Sequence, residues 1–445
     1  MSANPNPHTW LLIFDPTLRS SDGHSRNYDF AVAETARDIF DSVVIFADAA
    51  FTEPPPPGVM LRVIAESPLM NTLRATVRRV LPRTNSAALP NAPAGSFPGP
   101  LQRVWKGLRA RGLAYSLARA LGELGRARTD WVHIFVQQAD LYEIAAVDAF
   151  RARYGRSAGA RVTFHLLTRH DPEITRARQE DLTAFRARLL RLSRAASPRV
   201  RFHTDSTAVA DGFQALTEHQ VPWTVVPIPV SRKASHARLN KPKRPQNRVR
   251  ICMLGSPRME RGFGTLQALI PSFPGYFSDC RVCFAVQVDR RSVDPNVGHT
   301  IRWLDDYARQ NAPATPELEL LNGPAADEIY FSWLGATDIL VAPYTSIKYR
   351  QSTSGVFVEA LHLGIPSIVM QGTWAARIVA SATDRGLQIG EIAETLNVIP
   401  QLAQQIWSAH SRYRADLAIF GDHWKREHRS DIAELLLRAD KAAAR

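Results

Sequence analysis

The sequence predicts an α/β protein of two doubly wound domains, and three observations carry that expectation. Both halves of the chain alternate short apolar runs with stretches of helical spacing, the pattern of strands joined by crossover helices. A length of 445 residues is about that of two domains with a full core in each. The segment from Asp338 to Thr373 reads as strand, loop, helix, strand, and so supplies one complete crossover unit.

Taken in order, Trp10–Phe14 is a buried strand, and a polar loop through Asp22, Gly23 and His24 leads to a helix over Asp29–Phe40. Val43–Phe46 is the second strand. Four prolines at Pro54–Pro57 break the chain, and Leu61–Leu81 mixes apolar and basic residues at helical spacing. Residues 82–100, rich in Pro, Ala, Asn, Ser and Gly, read as a mobile loop before a basic helical stretch at Leu101–Arg128. Trp131–Val136 and Arg161–Leu167 are strands around a helix at Leu141–Tyr154. A long helix (Glu173–Ala196) and the runs Val200–His203 and Trp223–Val226 close a first domain at 1–228. A basic linker spans 229–248. The second domain, 249–408, opens with a strand at Val249–Leu254, a turn at Gly255 and a helix. Strands near Arg281–Val288, Glu317–Leu321, Ile339–Ala342 and Ser367–Met370 follow, then helical stretches at Ile392–Trp407 and, in a tail at 409–445, His410–Arg438.

Composition narrows the function. The chain is 45% hydrophobic and 22% charged, ordinary for a globular protein, and no run of about 18 apolar residues is present to span a bilayer. The N-terminus lacks a basic segment followed by an apolar one, so a cytoplasmic protein is expected. Cys252, Cys280 and Cys283 fall at or in strand patterns and read as free thiols, with no second pair to complete a metal site. The net charge of +13 is local: residues 74–128 hold eleven Lys or Arg against the single acid Glu123, and residues 232–250 hold eight and no acid. Such clustering asks for an anionic partner. Nucleic acid is not expected, because no aromatics interleave with the clusters and no reader motif is present.

Three constellations could carry chemistry. At Thr353, Ser354 and Gly355 a helix begins, and Val356 continues it; the free N–H groups of a helix start suit a phosphate or diphosphate. Glu359 lies one turn inside that helix among apolar neighbours, where a carboxylate needs a partner that a ribose diol would supply. After Gly255, Arg258 and Arg261 offer guanidiniums, whose fixed paired donors match a diphosphate. Thr168-Arg169-His170-Asp171 stands at a strand's C-terminal end, the edge where ligands of open α/β sheets gather. Tyr349, Arg350 and Trp374 flank the loop of the strand–loop–helix unit and are candidates to meet a ligand.

These residues resemble the donor site of retaining GT-B glycosyltransferases of the family 4 kind, in which two Rossmann-like domains face a central cleft. Glu359-Ala360-Leu361 and Gly364-Ile365-Pro366 match the end of that family's signature; Gln351 stands where its first Glu is usual, and Ser256 where an Arg usually follows the glycine. The resemblance implies that Glu359 holds the donor ribose and that Gln351 meets the donor sugar. It implies further that Gly255, Ser354, Gly355 and Val356 line the nucleotide, with Arg258 and Arg261 neutralising the leaving diphosphate. His170 would orient the donor, and Gly23, His24 and Asp171 would lie on the acceptor side. The implied activity is sugar transfer from a nucleotide-sugar to an acceptor hydroxyl with retention, with no metal or other cofactor. The basic, partly amphipathic region 74–128 suits an anionic membrane surface. A lipid-linked saccharide acceptor at the inner face of the cytoplasmic membrane, in surface polysaccharide or glycolipid assembly, is the matching expectation. A polyanion binder, a transferase-like partner without activity and a nucleotide-sugar epimerase are the alternatives.

Overall fold

The computed structural model describes residues 7–19, 24–65, 99–124, 130–158, 161–169, 182–195, 198–229, 247–277, 279–310, 316–323, 325–344 and 348–441. By their contacts they form two units: Met1–Ser20, Val32–Val226 and Asp431–Arg445, and Ser21–Ala31 with Pro227–Ser430. Most of the expected linker, 230–246, lies outside the described residues.

In the first unit the strands β1 (Thr9–Asp15), β2 (Ser42–Ala47), β3 (Val59–Val63), β4 (Trp131–Val136), β5 (Val162–Thr168), β6 (Arg199–Thr204) and β7 (Trp223–Val225) form one sheet. Their order is β3-β2-β1-β4-β5-β6-β7, and every pairing is parallel. The helices α1 (His24–Ala36, of which Val32–Ala36 fall in this unit), α2 (Gly99–Glu123), α3 (Leu141–Ala158), α4 (Leu182–Ser193) and α5 (Thr207–Leu216) alternate with them. Strands covered on both faces need apolar residues at nearly every position. All seven residues of β5 are buried, the polar Thr163, His165 and Thr168 among them. Phe150 of α3 packs edge-on against Phe164 of β5, and Phe213 of α5 stacks on Trp223 of β7 at 4.3 Å.

The elements depart from expectation in places. Val59–Val63, expected to run into a helix from Leu61, is an edge strand in which Met60, Arg62 and Val63 are exposed. An edge strand with solvent on one face tolerates the mix of basic and apolar residues that otherwise looks helical. The helix α1 begins five residues before Asp29, and α5 fills a stretch where no helix was expected.

In the second unit β8 (Arg248–Met253), β9 (Arg281–Val288), β10 (Glu317–Asn322), β11 (Ile339–Ala342), β12 (Ser367–Met370) and β13 (Gly390–Ala393) form a parallel sheet in the order β10-β9-β8-β11-β12-β13. Its longer helices are α6 (Pro295–Gln310), α7 (Asp327–Gly335), α8 (Gly355–His362), α9 (Trp374–Asp384), α10 (Ile399–Ser408) and α11 (His410–Lys441, in this unit as far as Ser430). The helix expected after Gly255 is instead a string of short turns from Met259 to Tyr276, because Gly262 is left-handed and Pro271 and Pro274 each remove a backbone donor. The expected helix Ile392–Trp407 begins as strand β13 and becomes helical only at Ile399. Among the described residues no helix is long and apolar enough to cross a membrane.

Part of the basic stretch 232–250 is internally neutralised. Arg248 lies 2.7 Å from both Glu317 and Glu319, and Arg250 reaches Glu319 at 2.7 Å while stacking on Trp333. These two cations therefore hold β8 to β10 and α7 rather than wait for an anionic partner. In each sheet the strand order reverses beside its first strand, between β1 and β4 and between β8 and β11. Ligands of open α/β sheets sit at the C-terminal ends of the strands at such a reversal.

Candidate functional site

At the β8/β11 reversal the structure gathers most of the residues singled out from sequence. The loop leaving β8 carries Gly255, Arg258 and Arg261. The loop leaving β11 carries Tyr344, Tyr349, Gln351 and Ser354, and ends at the N-terminus of α8.

Gly255 has φ +105°, and its N–H donates to Gln287 Oε1 at 2.8 Å. A Cβ there would lie 2.4 Å from Arg261 Nη1 and 3.2 Å from Val356 Cγ2. Glycine is thus required both by the backbone angle and by the guanidinium laid across it. Arg261 is fixed from the other side, its Nε donating to Tyr349 Oη at 2.8 Å. Gly262, at φ +75°, packs on Pro343, with room for no Cβ: one would sit 2.1 Å from the Pro343 carbonyl oxygen. Arg258, by contrast, is extended and exposed.

The helix α8 starts where expected. Ser354 is the N-cap, in extended conformation, and its Oγ accepts from Phe357 N at 3.3 Å and lies 3.1 Å from Tyr344 Oη. That hydroxyl is committed to the fold, so only backbone amides such as those of Gly355 and Val356, which have no intrahelical acceptor in a first turn, are offered to an anion. Seven of the eight residues of α8, Val356 to His362, are buried. Gly364 (φ +71°) ends it, with Gly364 N and Ile365 N donating to Leu361 O and Ala360 O.

Glu359 is 5% exposed, as its apolar surroundings suggested, and its carboxylate has a partner within the protein. Tyr330 Oη, from α7, donates to Glu359 Oε2 at 2.7 Å. Burial and then the Glu359 charge push the Tyr330 phenol well above its ordinary value, so it remains a donor across the neutral range. Tyr344 is raised as well, by burial first. Gln351 is half-buried, and its Oε1 has no hydrogen-bond partner, nor has Ser352 Oγ beside it. An uncompensated buried oxygen is costly, and two in consecutive residues at a loop mouth are polar atoms that a ligand or water would satisfy.

Other expected residues fall elsewhere. Trp374 is buried, edge-on to Phe357 and Trp424, and packs α9 rather than meeting a ligand. Gly23, His170 and Asp171 lie outside the described residues, and His24 opens α1 with its side chain outside them too. Three residues of the site gave little sequence signal. Gln287 is a lone polar residue in the apolar run of β9, a visible irregularity. Tyr330 and Tyr344 look like ordinary core aromatics until α7 and the β11 loop are folded together.

Comparison with known proteins agrees with this architecture. No family model matches the chain, and no curated protein sequence matches it significantly. Solved structures do. A UDP-forming α,α-trehalose-phosphate synthase from Burkholderia xenovorans is similar with TM-score 0.63 at 12% identity, over 98% of this chain and 99% of that one. A sucrose-phosphate synthase from Thermosynechococcus elongatus is similar with TM-score 0.60 at 13% identity, over 98% and 100%. The E. coli trehalose-6-phosphate protein bound with UDP-2-fluoro glucose is similar with TM-score 0.61 at 13% identity, over 96% and 99%. The chain has the GT-B fold, with two parallel doubly wound sheets.

Proposed function

We propose that the protein is a glycosyltransferase that moves a sugar from a nucleotide-sugar, UDP-linked as in the similar structures, to an acceptor hydroxyl. The observation that carries this reading is the meeting of Arg261 over Gly255, the start of α8 and Glu359 at the reversal point of the second sheet. Each group has its part. The guanidiniums of Arg261 and the exposed Arg258, with the α8 amides, stabilise charge developing on the departing diphosphate. Glu359 takes the ribose, and Gln351 lies toward the donor sugar. The family 4 resemblance further supports retention of configuration and a reaction that proceeds without metal. In that scheme His170 orients the donor, and Gly23, His24 and Asp171 face the acceptor.

A thermal-shift screen with UDP, GDP, ADP and TDP tests the reading. A ligand at a hundred times its dissociation constant adds about 2.7 kcal/mol of stability. At least one diphosphate should stabilise the protein, and Glu359→Ala should abolish most of that gain. No stabilisation by any of them overturns the proposal.

For the acceptor we propose a saccharide, lipid-linked and reached at an anionic membrane surface, on the strength of the basic stretch 74–128. Within α2, Arg111 is exposed, whereas Arg109 stacks on Tyr142 at 4.4 Å and Arg119 pairs with Glu123. Co-sedimentation with phosphatidylglycerol vesicles at low salt is the expected result. Protein left in the supernatant refutes membrane attachment and leaves a soluble saccharide, such as a sugar phosphate, as the acceptor.

A further inference from the structure

We infer that Tyr330 and Tyr349 are positioning residues of the donor site, the first for the carboxylate that meets the ribose and the second for the guanidinium that meets the diphosphate. The inference rests on the donor-site reading above and deepens it.

The geometry of the two tethers is alike. Glu359 sits on α8 and Tyr330 on α7, so the 2.7 Å bond from Tyr330 Oη to Glu359 Oε2 ties together side chains from two helices. A buried carboxylate has few ways to lose its charge penalty, and a short hydrogen bond from a neutral phenol is one. That bond also selects one rotamer of Glu359 before any ligand arrives. Tyr349 stands in the β11 loop and is 4% exposed. Its hydroxyl accepts from Arg261 Nε at 2.8 Å, while Arg261 Nη1 reaches the Ser256 carbonyl oxygen at 3.5 Å. Nη1 then lies directly above Gly255, against the space where a Cβ would stand. Tyr344 braces the pair, its ring 4.3 Å from that of Tyr349 and its hydroxyl 3.1 Å from the N-cap Ser354. Arg261 and the start of α8 are therefore held by one packed aromatic pair. Preorganisation of this kind lowers the ordering cost of binding.

The test uses the fact that the two tethers serve different parts of one ligand. Dissociation constants are measured for wild type, Tyr330→Phe and Tyr349→Phe against three compounds. These are the nucleoside diphosphate found in the screen (UDP first), its 2′,3′-dideoxy form and its monophosphate. Tyr330→Phe should weaken UDP by about tenfold and leave dideoxy-UDP within about twofold, since the ribose hydroxyls are gone. Tyr349→Phe should weaken UDP and dideoxy-UDP alike by about tenfold and leave UMP nearly unchanged. Equal losses against all three compounds, or none, show a merely structural role and overturn the inference while the donor reading stands. A wild type that binds none of UDP, GDP, ADP and TDP overturns both. The two variants are independent, so if one fails to fold the other still decides.

Discussion

At the reversal point of the second sheet a guanidinium and a helix start converge, whereas at that of the first sheet the group held in place is a carboxylate. Asp15 ends β1, and its Oδ1 accepts from Thr17 N and Oγ1 at 2.7 and 2.6 Å, while Oδ2 accepts from Gln137 Nε2 at 2.8 Å. The first sheet also buries a row of imidazoles. His133, His165 and His203 stack across β4, β5 and β6, joined by contacts of 3.0 and 3.2 Å. One strand order thus supports two chemistries. The second sheet invests in backbone shape, with glycines that let side chains and helix ends approach closely. The first invests in neutral polar groups kept from water. The consequences differ: the glycine turns of the second sheet should be sensitive to added carbon atoms, the imidazole row of the first to pH.

The largest effect expected is at Gly262. A Cβ there meets a backbone oxygen, and backbone cannot swing aside as a side-chain tip can. Gly262→Ala should cost roughly 3 kcal/mol, the sum of a left-handed non-glycine residue and the displaced Pro343. Gly364 is the control, because its φ of +71° is nearly the same but nothing lies within 4 Å of its Cβ position. Gly364→Ala should therefore cost only about 1 kcal/mol. Equal losses in urea denaturation would show that strain alone, and not the approach to Pro343, sets the requirement.

That pair also marks how much could be read from the sequence. The motif Gly364-Ile365-Pro366 announced a helix end, and the helix ends there. Ser354, Gly355 and Glu359 lay where the pattern placed them, because caps and breakers act over four or five residues and are written locally. Long-range partners are not. Nothing near Glu359 in sequence points to Tyr330, 29 residues earlier. Nor could the pattern separate Arg258, which points to solvent, from Arg261, which is clamped by Tyr349 88 residues away. The edge strand β3 was missed for a related reason: a single exposed face carries too little periodicity to outvote its basic residues.

An effect of similar size, spread over pH, is expected in the first unit at Glu143. Its Oε2 accepts from Asp140 N at 3.0 Å at the start of α3, and the side chain is buried. Burial, and then the Asp140 charge, raise it from 4.5 to about 7, against the pull of Arg109. A carboxyl whose folded value is raised contributes stability below its unfolded value and loses it as pH rises. Stability should therefore decline between about pH 4.5 and pH 7 by up to about 3 kcal/mol. Glu143→Gln keeps an acceptor for the Asp140 amide and should remove that slope, leaving the variant more stable than wild type at pH 8. Parallel pH–stability curves for the two proteins would contradict the assignment.

The smallest effect, and the one of opposite sign, belongs to the histidine ladder. A neutral imidazole has one donor and one acceptor, so two contacts among three rings leave two consistent proton directions. His203 Nδ1 has no partner. An orphaned acceptor is less costly than an orphaned N–H, so the favoured direction has His203 Nε2–H donating to His165 Nδ1, and His165 Nε2–H donating to His133 Nδ1. A further proton on His165 would set two donors face to face. Burial, and then the neighbouring imidazoles, hold His165 well below its ordinary value; burial and then Arg201 bring His203 down to about 3. A depressed folded value contributes stability above the unfolded value of 6.5, and that stability is lost as pH falls toward 3. At pH 5 the His203 share of the loss should be about 2 kcal/mol. His203→Gln, which can still donate to His165 and does not titrate, should make the fall in stability below pH 6.5 shallower by about that amount, while the Glu143 decline above pH 4.5 stays in place. An unchanged acid limb would mean that the ladder opens as a unit before His203 takes its proton.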